Sequence, residues 1–175
     1  ASNADNNNAG LSELSPEASR EEIATLLSRI DNTKNAILRY VREMEKAGQE
    51  DRLVLQLQIY QQQKQIMGDI HQLADTLLDV EKKGSQTKLR EKVEGVFIQV
   101  TPRLWDHIAR TDNVIDSFRA KRSEAKFEEL YAIENEVARY SQRLDTFYEL
   151  SFEHIKKMEQ LGIGTKDARE TFIQL

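Results

Sequence analysis

Ile37-Leu-Arg-Tyr-Val-Arg-Glu-Met-Glu-Lys-Ala-Gly-Gln-Glu-Asp-Arg-Leu-Val-Leu55 decides the fold. Apolar residues recur at steps of three and four through Ile37, Tyr40, Val41 and Met44, which is the period of a helix with one buried face. Ala47-Gly48-Gln49-Glu50-Asp51 then interrupts the period, and a second stripe opens at Leu55. Two long helices joined by so short a break must fold back on each other antiparallel.

Working outward, the first stripe extends back through Ile30, Leu27, Leu26 and Ile23 to a start at Ser15-Pro16-Glu17. Ser caps, Pro fits the first helical position, and Glu17, Glu21 and Glu22 favour the positive end of the helix dipole. This helix is expected over about Pro16 to Lys46. The second, about Arg52 to Lys83, carries Leu55, Ile59, Ile66, Ile70, Leu73, Leu77 and Val80, with Gly84 as its C′ residue. Gly68 interrupts it at a cost of about 1 kcal/mol relative to Ala, which is consistent with a close helix contact.

Ser85 is the expected cap of a third helix with the stripe Leu89, Val93, Val96, Phe97 and Val100. Thr101-Pro102 follows, and proline removes a ladder donor. The helix is therefore kinked there, or stops and restarts with Thr101 as the new cap. The stripe resumes at Leu104, Trp105, Ile108, Val114 or Ile115, and Phe118, so Trp105 reads as core. The polar stretch Arg119–Lys126 predicts a turn capped by Ser123. A fourth helix to about Leu161 carries Phe127, Leu130, Ile133 (or Tyr131), Val137, Tyr140, Leu144, Phe147, Leu150 or Phe152, Ile155 and Met158. Gly162-Ile163-Gly164 ends it, and Thr165 caps a fifth helix that is still open at Leu175. The fold class expected is all-α, an elongated antiparallel bundle of four to five long helices, one kinked or broken at Pro102.

Residues 15–175 are expected to form the bundle. Residues 1–14 are read as a disordered leader, with Ala1-Ser-Asn-Ala4 resembling a protease-cleavage scar. The amphipathic helix cut at Leu175 reads as part of a longer protein.

Seven Gly and two Pro in 175 residues fit a helical chain. A net charge of −5 argues against nucleic acid as a main partner. No Cys is present, so disulfides and thiolate chemistry are excluded. No apolar run approaches the roughly 20 residues that span a bilayer.

The three histidines are His71, His107 and His154. A di-metal bundle needs Glu three residues before His, and Gly68, Leu104 and Ser151 stand there instead. The histidines are read as surface or boundary imidazoles. No nucleophile motif or phosphate loop appears. The expectation is therefore no catalytic residue, no metal ligand, no cofactor site, no small-molecule substrate, and no enzyme. Gln56, Gln58, Gln61, Gln62, Gln63 and Gln65 read as a solvated face, with a helix contact as the alternative. Arg119, Lys121, Arg122 and Lys126 read as a solvated turn, with acidic lipid headgroups as the alternative.

The order of features carries a resemblance. A long helical hairpin is followed by Val100-Thr-Pro-Arg-Leu104, then the basic break Ala120-Lys-Arg-Ser-Glu124. Next comes a helix ending in Met158-Glu-Gln-Leu-Gly-Ile163, and a capped helix with Arg169-Glu170. Over most of residues 16–175 this resembles the N-terminal extramembrane helical region of bacterial small-conductance mechanosensitive (MscS-type) channels. The resemblance implies a periplasmic, non-catalytic domain of an inner-membrane homo-oligomer. Its partners would be the membrane-spanning part of its own chain and neighbouring subunits, and its role structural or force-coupling. The alternative is a soluble adaptor bundle that binds a partner helix in a groove.

Overall fold

The structure, a computed structural model, describes residues 16–84 and 88–174, and of Pro16, Thr171 and Phe172 the backbone alone. The expected leader, the Ser85 cap and Leu175 lie outside the described residues. Those described form an all-α chain, as the periodicity requires: α1 Pro16–Lys46, α2 Gln49–Lys82, α3 Leu89–Ala120, α4 Phe127–Gln160 and α5 Lys166–Gln174. A single 3₁₀ turn, Lys121–Glu124, separates α3 from α4. No described helix is long and apolar enough to cross a membrane.

The helix ends follow from local chemistry. The first break is shorter than expected, only Ala47 and Gly48, because Glu50 and Asp51 suit a helix N-terminus and join α2. At the far end of α2, Gly84 takes φ +78, the left-handed C′ conformation expected of it. α4 ends in a Schellman motif. Gly162 has φ +73, its N–H donates to Glu159 O (3.0 Å), and Ile163 N–H donates to Met158 O (2.9 Å). The cap of α4 is Lys126 rather than the expected Ser123, which lies in the 3₁₀ turn. The Lys126 N–H donates to the Glu129 carboxylate at 3.2 Å, so the acid three residues on fixes the start.

Of the two alternatives at Pro102, the stop and restart with Thr101 as a new cap is corrected. The helix runs unbroken from Leu89 to Ala120. Proline lacks the N–H that the Ile98 carbonyl would accept, so one ladder bond is missing while the helix continues.

The chain divides into two compact units, Ala1–Phe97 and Ile98–Leu175. In the first, α1 and α2 pair antiparallel. Gln72 Nε2 donates to Glu22 Oε1 (2.8 Å), and, later along α1 and earlier along α2, Arg29 donates to Asp69 Oδ1 (2.8 Å). Ile23, Leu26 and Ile30 of α1 and Ile66, Ile70, Leu73, Leu77 and Val80 of α2 are buried, as are Val93 and Phe97 on α3. Burial fades toward the Ala47–Gly48 turn, where Ile37, Tyr40, Val41 and Met44 are half-buried.

In the second unit, α3 and α4 run antiparallel. Successive contacts are Thr101 with His154, His107 with Phe147, Phe118 with Tyr140, and Arg122 with Glu134. Ile115, Val137 and Tyr140 form a buried cluster, flanked by Val114, Phe118, Ile133 and Leu144. Phe127, placed on the core stripe by periodicity, is exposed, and of the pair Ile133 or Tyr131 it is Ile133 that packs inward while Tyr131 is exposed. Phe127 is the first residue of α4 and extends past the Ala120 end of α3. Phe152 is exposed too, and Leu150 is the half-buried one of that pair. An ion pair between Arg169 and Glu159 links α5 to α4.

Candidate functional site

The polar groups that the fold places inside each unit are the candidates for function. The reading of all three histidines as surface or boundary imidazoles is corrected for His154, which is fully buried. His154 lies on the α4 stripe, seven residues after Phe147 and four before Met158, so packing carries it inward. Its Nε2 lies 2.9 Å from the Thr101 hydroxyl, and Thr101 Oγ1 is also 3.8 Å from the Met158 sulfur. A hydroxyl has one proton. Both contacts are satisfied when His154 Nε2–H donates to Thr101 and the Thr101 hydroxyl donates to sulfur. Ser151 completes the layer without adding a reactive group, because its hydroxyl donates to Phe147 O at 2.6 Å.

Two turns along, His107 packs its ring on Phe147, with centroids 4.4 Å apart at 54°. Its Nε2 is buried without a hydrogen bond. Burial, then the charges of Arg110 and Arg143, lower its pKa from 6.5 to about 4. The ring is therefore neutral near pH 7 and behaves as an apolar wedge, poorly matched to proton transfer at that pH. Arg143 is buried, with its guanidinium 4.5 Å from the centre of the Tyr140 ring. Burial raises the Tyr140 pKa against the opposing effect of Arg143. His71 is half-buried on α2.

In the first unit the buried ionisable group is Asp69, whose side chain is 4% exposed. Arg29 donates to its Oδ1, as does Gln65 Nε2 at 3.1 Å. The sequence reading passed over Asp69, although a signal exists: it stands three residues after Ile66 and four before Leu73, on the buried stripe. Among the described residues, no group of three or more His, Asp or Glu side chains is placed to hold a metal ion.

The glutamine block divides. Gln61 and Gln65 are exposed, Gln56, Gln58 and Gln62 are half-buried, and Gln63 is buried. The basic stretch is met by acids of its own hairpin. Arg122 pairs with Glu134, Arg119 lies 4.0 Å from Asp116, and the Lys121 ammonium sits over the Phe118 ring. Trp105 is buried, as expected.

Set beside known proteins, the chain matches no family model, no curated protein and no solved structure.

Proposed function

We propose that this chain is a non-catalytic extramembrane helical domain of an MscS-type mechanosensitive channel, periplasmic and with a structural or force-coupling role. The observation that supports it best is the pairing of long antiparallel helices in both units. α2 and α4 have 34 residues each, about 50 Å of continuous helix. Cross-helix contacts, the half-exposed Arg29 on buried Asp69 in one unit and the buried Thr101–His154 pair in the other, oppose sliding of each pair along its length. A force applied at one end of such a pair is passed along it with little loss to local unfolding. The order of motifs around Val100–Leu104 and Met158–Ile163 supports the same reading.

A second reading, an adaptor bundle for a partner helix, is favoured by Leu53, Val54 and Leu57, which are exposed on α2.

The test begins with the native reading frame followed past residue 175. Its full-length product is expected in the inner-membrane fraction, opening under tension in membrane patches. A full-length product recovered only in the soluble fraction removes the channel reading and leaves the adaptor.

A further inference from the structure

We propose that the outer face of α2 is a self-association surface, on which two copies of this chain pair antiparallel about a two-fold axis at Leu57. The proposal goes beyond the channel reading and does not depend on it.

The first part of α2 is apolar on two sides. Leu55 and Ile59 are buried, whereas Leu53, Val54 and Leu57 are 38%, 57% and 39% exposed. At about 100° per residue, Leu57 points roughly opposite to Leu55 and Ile59. A helix apolar on both sides is normally covered on both. Among the described residues nothing covers the second side.

Charge selects the occupant. Glu50 and Lys64 stand seven residues before and after Leu57, within about 20° of it around the helix. Both are exposed, and neither has an ion pair with a described residue; the Lys64 ammonium lies 5.4 Å from the centre of its own neighbour Tyr60. An antiparallel second copy centred on Leu57 brings Glu50 against the partner's Lys64, and the symmetry repeats the pair. A parallel copy sets like charges against each other. The face is therefore complementary to itself in one orientation.

Gly68 is an independent sign. It faces solvent on the same side of α2, and a Cβ placed there meets nothing within 4 Å. Packing inside the chain gives no reason for glycine in mid-helix, where it costs about 1 kcal/mol relative to Ala. Counted from Leu57, the first residue of the second copy's α2, Gln49, lies opposite Gln65, so Gly68 lies three residues beyond it, beside the Ala47–Gly48 turn. A missing side chain leaves room for that turn.

Three apolar residues per copy make a contact well below the standard 800 Å² or so per partner. The association is accordingly weak, with Kd on the order of 100 μM.

Sedimentation equilibrium of the chain over roughly 5–500 μM, a range bracketing that Kd, tests the proposal. The expected result is a dimer that grows with concentration and is lost in Leu57→Lys. It is weakened about tenfold by Glu50→Lys or Lys64→Glu and restored when both are combined. Leu57 is partly exposed in the single chain, and an unchanged circular dichroism melt confirms that its variant folds. The chain has no Cys, so an oxidised mixture of Glu50→Cys and Lys64→Cys chains should give the mixed disulfide in excess. A monomer at every concentration, a dimer indifferent to Leu57→Lys, or a predominance of like-with-like disulfides would overturn the proposal.

Discussion

His107 makes the stability of the α3–α4 pair depend on pH in a window that carboxylates alone do not set. In the folded chain its pKa is lowered to about 4, from 6.5 in an unfolded chain. Between these values the unfolded state binds the extra proton, so acid favours unfolding there. The contribution is fully present above pH 6.5 and is lost progressively as the pH falls toward 4. At pH 5 the imidazole is almost wholly protonated in the unfolded chain and about one-tenth protonated in the folded one. The difference costs about 2 kcal/mol relative to pH 7.5. His107→Leu removes the titrating group and keeps an apolar side chain against Phe147. Urea denaturation of both proteins at pH 7.5 and pH 5 isolates the effect. Other groups titrate in each chain and cancel in the difference. The variant should gain about 2 kcal/mol on the wild type between the two pH values. Equal losses of stability in the two proteins would show that His107 is solvated and free to protonate, which refutes the reasoning.

Thr101→Val keeps the shape of the side chain and leaves His154 Nε2 facing a methyl group, at an expected cost of about 1–3 kcal/mol. Adding His154→Leu should recover part of that loss, and a double-mutant cycle by thermal denaturation reads the coupling; a coupling near zero would mean the 2.9 Å contact contributes nothing. Pro102→Ala restores the donor that the Ile98 carbonyl lacks and should stabilise the chain by about 1–3 kcal/mol, because α3 is already continuous there. An unchanged or lowered urea midpoint would show that the packing around Pro102 favours proline itself and offsets the missing hydrogen bond.

Helix positions were legible because each depends on a few neighbouring residues. Pro16 at a first turn, Gly84 and Gly162 at left-handed ends, and stripes at steps of three and four are all local signals. What the sequence concealed depends on where a neighbouring helix stops. Phe127 belongs to the α4 stripe by spacing, yet α3 ends at Ala120 and leaves it uncovered. Arg122 is cationic by sequence and neutralised in space by Glu134, twelve residues on and across the hairpin. His154 and Asp69 both occupied stripe positions, but a lone polar residue on an apolar stripe looks the same whether it caps a gap in burial or is satisfied within it. Only the positions of Thr101 and Arg29 decide between these.

α3 shows how local and tertiary forces divide the work. Its weakest point is one turn long: Pro102 withholds a hydrogen bond from Ile98, and the division between the two compact units falls between Phe97 and Ile98. Propensity alone would end the helix there, at a penalty of about 3 kcal/mol for continuing. Against that stand the buried residues on either side. Val93 and Phe97 anchor the helix in one unit, and Val100, Leu104 and Ile108 in the other. At about 1.5–3 kcal/mol for each fully buried side chain, their sum exceeds the proline penalty severalfold. Thr101, the residue whose backbone proline disfavours most, is also the one held across to α4 by His154. The helix is continuous because both its halves are packed, so loosening either half should expose the break that the sequence suggested.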